Sequence, residues 1–514
     1  MSLREKYLKI LSGIVPAGAA GVSLLLASTA PSVGNEHPLG SQPSAAEGAG
    51  VSERLAAIRE AFSAVAGPEA KPDHDNLHLA WGNWWRNGGW GPRRSGWPTG
   101  TIGAIGTPGI IFGVIGDRPA RDRTTSRLVP RIDLLVVQPT PFCNIDCRYC
   151  YLPDRNSKAV VARQTLHNLF FQVFASGWVN ETLSVVWHAG EPMVLPIDFY
   201  RDAFRMIDRL KPAEVVVAHS LQTNGTLIDE AWCGFFADER IGVGVSIDGP
   251  KHFHDRNRLT RAGRGTFDRT IAGIRLLRRH EVPFHVISVL STASMAAPRE
   301  MFDFYVEEGI EQVCFNVEES EGDHVSDSFG EIGVEAAYYR FLSEFWRLSA
   351  AAPGKITFIR EIEHAIQQVI RPADAPFHNQ LVEPFAITSM DWAGNISTFS
   401  PELLGLKDAA YEDFLLGNVN RDALIELPWR PNFGKMLADI QAGVEMCRER
   451  CAYFSVCGGG EPVNKLAENG SFISTETTYC RLTKMQATDL VLDALERVPP
   501  AGLNRESAET GVCG

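Results

Sequence analysis

The sequence predicts an α/β fold in which six β/α repeats form an open, partial barrel. From Arg131 onward, short apolar runs alternate with longer amphipathic segments. Strands separated by helices in this way form parallel sheets with right-handed crossovers. Since a closed barrel of this kind needs eight repeats, the sheet is expected to remain open.

Each predicted element follows from the period of its apolar residues. The strands are expected at 132–137, 183–187, 215–221, 242–247, 284–290 and 312–317. The helices are expected at 164–175, 199–210, 230–238, 267–279, 299–307 and 334–348. Functional side chains of such sheets lie at the carboxyl ends of the strands, so the residues that follow each strand are the candidates for chemistry.

A chain of 514 residues is too long for one ordinary domain. Residues 1–130 are predicted to be a largely disordered peptide segment and linker, since their composition differs from the rest. The partial barrel is placed at 131–352, a cysteine-containing unit at 353–498, and a disordered tail at 499–514.

Charge and composition argue against some classes of binding partner and indicate in which cellular compartment the protein is expected. The formal net charge of -13 argues against nucleic acid, which binds basic surfaces. Lys6 and Lys9 precede an apolar stretch at 10–27 that is similar to a secretory signal. Pro16 and several glycines weaken it as a membrane span, and no stable membrane insertion is expected. Export would place thiolate sites in an oxidising compartment, so a cytoplasmic location is predicted and export is the alternative.

One amphipathic helix is predicted in the N-terminal segment, at about 52–65, with Ser52 as its N-cap. Its apolar residues form one stripe, made of Leu55, Ile58, Phe62 and Val65. A short helix cannot bury such a stripe alone. Two interpretations remain open: the helix packs against a neighbouring domain, or it is a recognition helix that docks in a groove.

Three cysteines follow the first predicted strand with the spacing Cys143-x3-Cys147-x2-Cys150. Soft thiolates suit iron–sulfur clusters, and three of them leave one iron of a [4Fe–4S] cluster open to another ligand. A structural zinc site is the alternative, but such sites usually need four protein ligands. The loop is therefore predicted to hold a [4Fe–4S] cluster.

The segment from Cys143 to Cys150, including the aromatic Tyr149, resembles the signature of the radical S-adenosylmethionine (SAM) superfamily. The resemblance implies that the open iron binds SAM, which is then cleaved to a carbon radical. Further motifs at strand ends resemble SAM contacts of that superfamily: His188-Ala-Gly-Glu-Pro, Gln222-Thr-Asn-Gly, Ser246-Ile-Asp-Gly and His254-Asp-Arg-Asn-Arg. The cofactor-binding residues that it implies are Tyr149, Gly190, Glu191, Asn224, Ser246, Asp248 and Arg258. Among them, Glu191 is expected near the SAM amino group and Arg258 near its carboxylate.

A second cysteine group, Cys447, Cys451, Cys457 and Cys480, can close a metal site completely. A structural zinc site is the simpler interpretation of these four cysteines. The spacing resembles a SPASM domain, which carries auxiliary clusters. Glu461 stands where a further cysteine is usual, and the stretch 391–399 lacks another, so one auxiliary [4Fe–4S] cluster is predicted. Cys233 and Cys314 are expected to be buried core thiols.

The stretch from Trp81 to Trp90 is rich in Trp, Gly and Asn. It resembles the precursor peptides of maturases that form three-residue cyclophanes, in which an aromatic ring carbon is joined to a β-carbon two residues on. Trp81 with Asn83 and Trp85 with Asn87 fit that pattern. The resemblance implies a fused precursor, with a leader helix at about 52–65 and a core at 81–92.

An asparagine β-carbon has an unactivated C–H bond that general acid–base catalysis cannot break, whereas a cofactor radical can. Glu402 is the candidate for the group that takes the released proton, and an ordinary surface acid is the alternative. An electron donor such as flavodoxin or ferredoxin is the implied partner. Two other functions remain: oxidation of a Ser or Cys in an external protein, as in sulfatase-maturating relatives, and a non-catalytic iron–sulfur or zinc scaffold.

Overall fold

A sheet of ten strands runs through the computed structural model, which describes residues 50–66, 130–320, 324–373, 375 and 378–497. In chain order the strands of the described residues are β1 Leu134–Val137, β2 Ile145–Cys147, β3 Thr182–Trp187, β4 Val216–Thr223, β5 Gly242–Ser246, β6 Arg258–Thr260, β7 Phe284–Leu290, β8 Gln312–Val317, β9 Phe358–Ile359, β10 Ile387–Met390, β11 Asn395–Thr398 and β12 Gly417–Asn418. Strands β2 and β6 form a separate two-stranded sheet, and the other ten form the large sheet.

The helices of the described residues surround this sheet. They are α1 Val51–Ala66, α2 Arg163–Ala175, α3 Ile197–Leu210, α4 Glu230–Glu239, α5 Lys251–Asn257, α6 Phe267–Arg279, α7 Thr292–Met295, α8 Pro298–Glu307, α9 Val334–Ala351, α10 Arg360–Ile370, α11 Pro431–Arg450, α12 Phe454–Cys457, α13 Pro462–Asn469, α14 Thr478–Cys480 and α15 Ala487–Arg497. A π-helical turn, Arg481–Gln486, joins α14 to α15. Three-ten turns lie at Pro192–Val194, Pro401–Leu403, Ala409–Phe414 and Leu424–Trp429.

The predicted open barrel is confirmed. The six expected strands are β1, β3, β4, β5, β7 and β8, and they pair in that order, all parallel. The six expected helices, α2, α3, α4, α6, α8 and α9, lie in the predicted places, with ends that differ by up to three residues. The ends of the sheet are β12 and β9, so the barrel stays open.

The alternation of side chains along the strands separates a core from a cavity. On β1 and β3 one set of residues packs beneath the helices, including Leu135, Val137 and Trp187. The intervening residues Leu134 and Val136 face the other way and line a cavity. The sheet thus buries one face and leaves the other available for ligands.

The predicted boundary near residue 352 does not divide the sheet. Strand β10 pairs in parallel with β1, in the register Leu134↔Ile387, and β11 and β12 continue antiparallel from it. The sequence prediction missed these strands because they have at most four residues each and no helix alternates with them. The second unit therefore closes one side of the barrel.

Helix α1 packs against α10 and α15. Leu55, Ile58 and Phe62 are buried, as their stripe predicts, whereas the side chain of Val65 lies outside the described residues. The N-cap prediction is wrong, because the helix begins at Val51 and the Ser52 hydroxyl donates to the Ala452 carbonyl at 3.3 Å. Arg54 forms ion pairs with two acids of α15. Thus α1 docks against α10 and α15.

In the described ranges, no helix combines the length and apolar character that a bilayer-spanning segment needs. The apolar stretch 10–27 lies outside those ranges.

Replacing Leu55 and Phe62 together by Asp should detach α1 from α10 and α15. Truncating a buried Leu or Phe costs about 2–5 kcal/mol, and a buried carboxylate without a partner adds to that cost. Amide hydrogen exchange across 51–66 should therefore rise by at least about tenfold. The exposed Ala56→Asp is the matched control and should leave exchange unchanged. Equal protection in both variants would contradict the observed packing.

Candidate functional site

The three-cysteine loop leaves the end of β1 and returns to the barrel through β2. Strand β2 pairs antiparallel with β6, which places Cys147 opposite Arg258. Cys143, Cys147 and Cys150 are free, half-buried thiols that line one side of the barrel cavity, whose volume is about 410 Å³. The loop is held further by the Arg261 side chain, which donates to the Cys143 carbonyl from Nε at 2.9 Å and from a terminal nitrogen at 2.7 Å. The sequence prediction missed Arg261.

Burial decides the protonation state of these thiols. Burial raises the pKa of Cys143 and that of Cys147 to about 12. The charge of Glu191 adds to the rise at Cys143, whereas Arg258 opposes it at Cys147. Without a cation the thiols keep their protons, and a bound metal would displace them.

The three thiols of the loop lie beside an open cavity. In the described part of the chain, no three or more His, Cys, Asp or Glu side chains are arranged around one ion. In a [4Fe–4S] cluster each cysteine binds a different iron, so the thiolates stand further apart than around one metal. The three thiols on one loop, beside an open cavity, fit such a cluster.

The turn after β3 needs residues that tolerate left-handed backbone. Ala189 and Gly190 have φ values of +67° and +79°. A β-carbon at Gly190 would lie 2.3 Å from the Thr140 carbonyl oxygen, so only glycine fits there. Ala189 takes up the same left-handed backbone although it carries a β-carbon, which is a strained conformation.

Glu191 joins the ends of β3 and β4. Its carboxylate accepts from the Met193 amide at 3.0 Å, the Thr223 hydroxyl at 2.8 Å and the Asn224 amide at 2.8 Å. Burial raises the pKa of Glu191 to about 7, and these hydrogen bonds oppose the rise. Glu191 lines the cavity as expected, but its acceptors are largely used to hold the cavity wall.

Asn224 connects β4 to the cysteine loop. Its side-chain nitrogen donates to Asn144 Oδ1 at 2.8 Å and lies 3.8 Å from the Cys143 sulfur. Its side-chain oxygen accepts from the Thr226 amide at 3.0 Å. Asn224 therefore lies beside the predicted cluster ligand, as well as in the predicted SAM cavity.

A buried network supports the remaining predicted SAM contacts. Arg258 lies 3.0 Å from Asp248, and its guanidinium is 5.4 Å from the centre of the Tyr149 ring. The Tyr149 hydroxyl donates to Asp248. Tyr149, Ser246 and Arg258 line the cavity, but Asp248 lies behind it. The Asp248 carboxylate accepts from the Tyr149 hydroxyl and the Val289 amide, and its contact with the cofactor stays a prediction.

The second cysteine group also comes together. Cys447, Cys451, Cys457 and Cys480 lie at or next to helix ends and line a small cavity of about 70 Å³. The buried Lys465 donates to the Cys447 sulfur at 3.4 Å. The four thiols and this ammonium border the same small cavity, although in the described residues no three of the thiols are arranged around one ion. The sequence prediction missed Lys465, because a lysine in a short helix carries no spacing signal. Cys233 and Cys314 are buried core thiols, as expected.

The far end of the barrel cavity is polar. Glu402 lines it and accepts a hydrogen bond from the Ser400 hydroxyl. Burial raises the pKa of Glu402, and the negative charge of Glu461 raises it further. Glu461 also lines this cavity and pairs with Lys484 at 3.1 Å. Glu402 is thus a partly buried acid of the cavity wall, and its role as proton acceptor stays a prediction.

The predicted substrate residues Trp81, Asn83, Trp85 and Asn87 lie outside the described residues, as does Cys513.

Several known proteins are similar to this chain in sequence or in fold. The Radical SAM superfamily pattern matches residues 137–305. An uncharacterized protein of Synechocystis sp. is 40% identical over 368 residues, which is 71% of this chain and 92% of the relative. A serine-type anaerobic sulfatase-maturating enzyme of Bacteroides thetaiotaomicron is 27% identical over 347 residues, 63% of this chain and 81% of that enzyme.

A solved structure has the same fold. Native anSMEcpe with bound AdoMet and Cp18Cys peptide superposes with a TM-score of 0.57 at 21% identity, covering 71% of this chain and 98% of that one. The cysteine loop, the strand-end motifs and these similarities agree, and the chain belongs to the radical SAM superfamily.

Proposed function

We propose that this radical SAM enzyme is a peptide maturase that crosslinks its own N-terminal segment. Each crosslink would join a ring carbon of Trp81 or Trp85 to the β-carbon of Asn83 or Asn87, respectively. The observation that carries the proposal is the docking of α1, because it anchors the segment just before these residues beside the cavity.

Helix α10 connects the docked helix to the cavity. One face of α10 contacts α1, and Arg59 of α1 donates to the Gln368 carbonyl at 2.9 Å. The same helix contributes Glu363, His364 and Gln367 to the cavity wall. Helix α1 therefore packs on an element that forms part of the cavity wall.

The chain between anchor and substrate is short. Fourteen residues lie between Ala66 and Trp81, and a flexible coil of that length would span about 20 Å. The tether would give an effective concentration near the millimolar range. An intramolecular reaction therefore needs no further docking surface.

The cofactors supply a carbon radical that can remove a hydrogen atom from an asparagine β-carbon. Gly190, Asn224 and Arg258 would hold SAM against the cluster, with Arg258 at its carboxylate. Formation of the ring–carbon bond leaves one electron and one proton to discard. Glu402 would take the proton, since burial brings the pKa of this carboxyl closer to the working pH.

The four-cysteine site would hold one auxiliary [4Fe–4S] cluster, whose chemistry is one-electron transfer. Its cysteines lie next to Glu461, which also borders the barrel cavity. A cytoplasmic reductant such as flavodoxin or ferredoxin would supply the electron that starts the reaction.

Oxidation of a Ser or Cys in an external protein is the second candidate. It is favoured by the similarity to the serine-type sulfatase-maturating enzyme. That reaction leaves an aldehyde, which a carbonyl reagent detects on the external peptide. It leaves the Trp/Asn stretch and the docked α1 without a role.

Anaerobically reconstituted protein should hold about eight irons per chain, from two [4Fe–4S] sites. Changing Cys143, Cys147 and Cys150 to Ala should leave about four irons and abolish SAM cleavage. Changing the core thiol Cys233 to Ala is the matched control. Twelve irons in the parent would contradict one auxiliary cluster, and an undiminished count in the triple variant would contradict the cluster assignment.

Arg258→Ala should weaken SAM binding by about 1.5–3 kcal/mol, the usual range for a hydrogen bond to a charged group, with the iron content unchanged. Arg256→Ala is the control, because that side chain is exposed two residues away. Arg258→Lys should retain part of the affinity, since the charge remains. Equal SAM affinity in all four proteins, measured by equilibrium dialysis, would remove Arg258 from the site.

Tandem mass spectrometry after anaerobic expression should find a loss of two hydrogens for each crosslink, within 81–83 and 85–87. Asn83→Gly should remove only the first crosslink, because glycine has no β-carbon. The Leu55→Asp, Phe62→Asp pair should slow both, whereas Ala56→Asp should not. An unmodified segment in a chain that cleaves SAM would refute self-modification.

A further inference from the structure

The Glu461–Lys484 ion pair differs from the other charged pair at the cavity wall. Arg360 and Glu361 also line the cavity, but Arg360 donates to the Phe315 carbonyl and Glu361 accepts from the Phe315 amide. That pair is therefore used to hold β8. The ion pair of Lys484 with Glu461 makes no such link to a strand.

Three consecutive glycines place Glu461 at the cavity. Gly458, Gly459 and Gly460 all have left-handed backbone, with φ values of +66°, +109° and +79°. A β-carbon at Gly459 would lie 2.8 Å from Val444. The chain thus turns sharply after Cys457, and Glu461 borders both the four-cysteine cavity and the barrel cavity.

The pair presents two complementary polar groups side by side. An ammonium has three N–H donors, and a carboxylate has about four acceptor sites. Lys484 Nζ lies 3.1 Å from one oxygen of Glu461, and the Tyr479 hydroxyl also hydrogen-bonds Glu461. Of the three donors and about four acceptor sites, some therefore remain for a ligand. The nearby Glu402 adds a second acidic group at the same end.

We propose that Glu461 and Lys484 form the specificity site that recognises the primary carboxamide of the asparagine to be crosslinked. The carboxamide nitrogen donates to Glu461, and its oxygen accepts from Lys484. A side-chain carboxylate in the same place lacks the donor and faces two acidic groups. An apolar side chain leaves both partners without a ligand, and buried polar sites reject such analogues strongly. The inference rests on the proposed crosslinking reaction and adds the reason for its preference for Asn.

The test compares two sites in one molecule. With Asn83→Asp in an otherwise unchanged chain, crosslinking at 81–83 should fall by about tenfold or more relative to 85–87. Adding Glu461→Gln should restore crosslinking at the substituted 81–83 site toward the 85–87 level, because the glutamine amide donates to a carboxylate. Adding Lys484→Gln instead should lower it further, since the only cation of the pair is lost. SAM cleavage and iron content are measured in every variant to check the fold.

Two outcomes overturn the inference alone. One is crosslinking at 81–83 that is equal with and without the Asn83→Asp change in the unchanged enzyme body. The other is an 81–83 to 85–87 ratio that responds to neither Glu461→Gln nor Lys484→Gln. If one of these two variants loses iron, the other variant alone tests the inference, because Glu461 and Lys484 lie on different elements. Absence of both crosslinks in the unchanged chain would instead overturn the proposed function itself.

Discussion

The buried ion pair between Arg258 and Asp248 organises the centre of this protein. Asp248 follows β5, and Arg258 begins β6, which pairs with the β2 strand of the cysteine loop. Asp248 also accepts from the Tyr149 hydroxyl and from the Val289 amide. Removing one partner would leave a buried charge uncompensated, which costs several kcal/mol. The network therefore connects β5, β6 and β7 behind the cavity wall, while Arg261 and Asn224 hold the cysteine loop separately.

Helix α10 has a comparable role at the opposite side. It begins with Arg360 and Glu361, which hold β8, and it continues with residues that border the cavity. Its outer surface receives α1, whose buried apolar stripe belongs to the same continuous core. A single helix thus connects the sheet, the cavity and the docked α1.

At the polar end of the cavity, the charged side chains of Glu402, Glu461 and Lys484 lie together and are partly buried. Burial keeps the pKa of Glu402 raised, while Lys484 balances Glu461. Electrostatic interactions are stronger in such surroundings than in water. In the proposed reaction, the same charges would discriminate between asparagine and aspartate and accept a proton, whereas the thiol end of the cavity would hold the cofactors.

The sequence by itself determined the repeating elements and the cysteine loop. Apolar periodicity is a local property, so the six strands and six helices from 132 to 351 could be located to within a few residues. Cys143, Cys147 and Cys150 were recognisable because a cluster-binding loop needs fixed local spacing. Gly190 was recognisable for a similar reason, since its turn excludes a β-carbon.

The tertiary structure decided which distant residues meet. The pairing of β10 with β1, the placement of Asp248 behind the cavity, and the convergence of Glu402, Glu461 and Lys484 involve residues far apart in the chain. The docking of α1 depends on α10 and α15, more than 290 residues away. Spacing and periodicity describe neighbours along the chain, whereas these contacts arise only when packing of the sheet and helices brings their elements together.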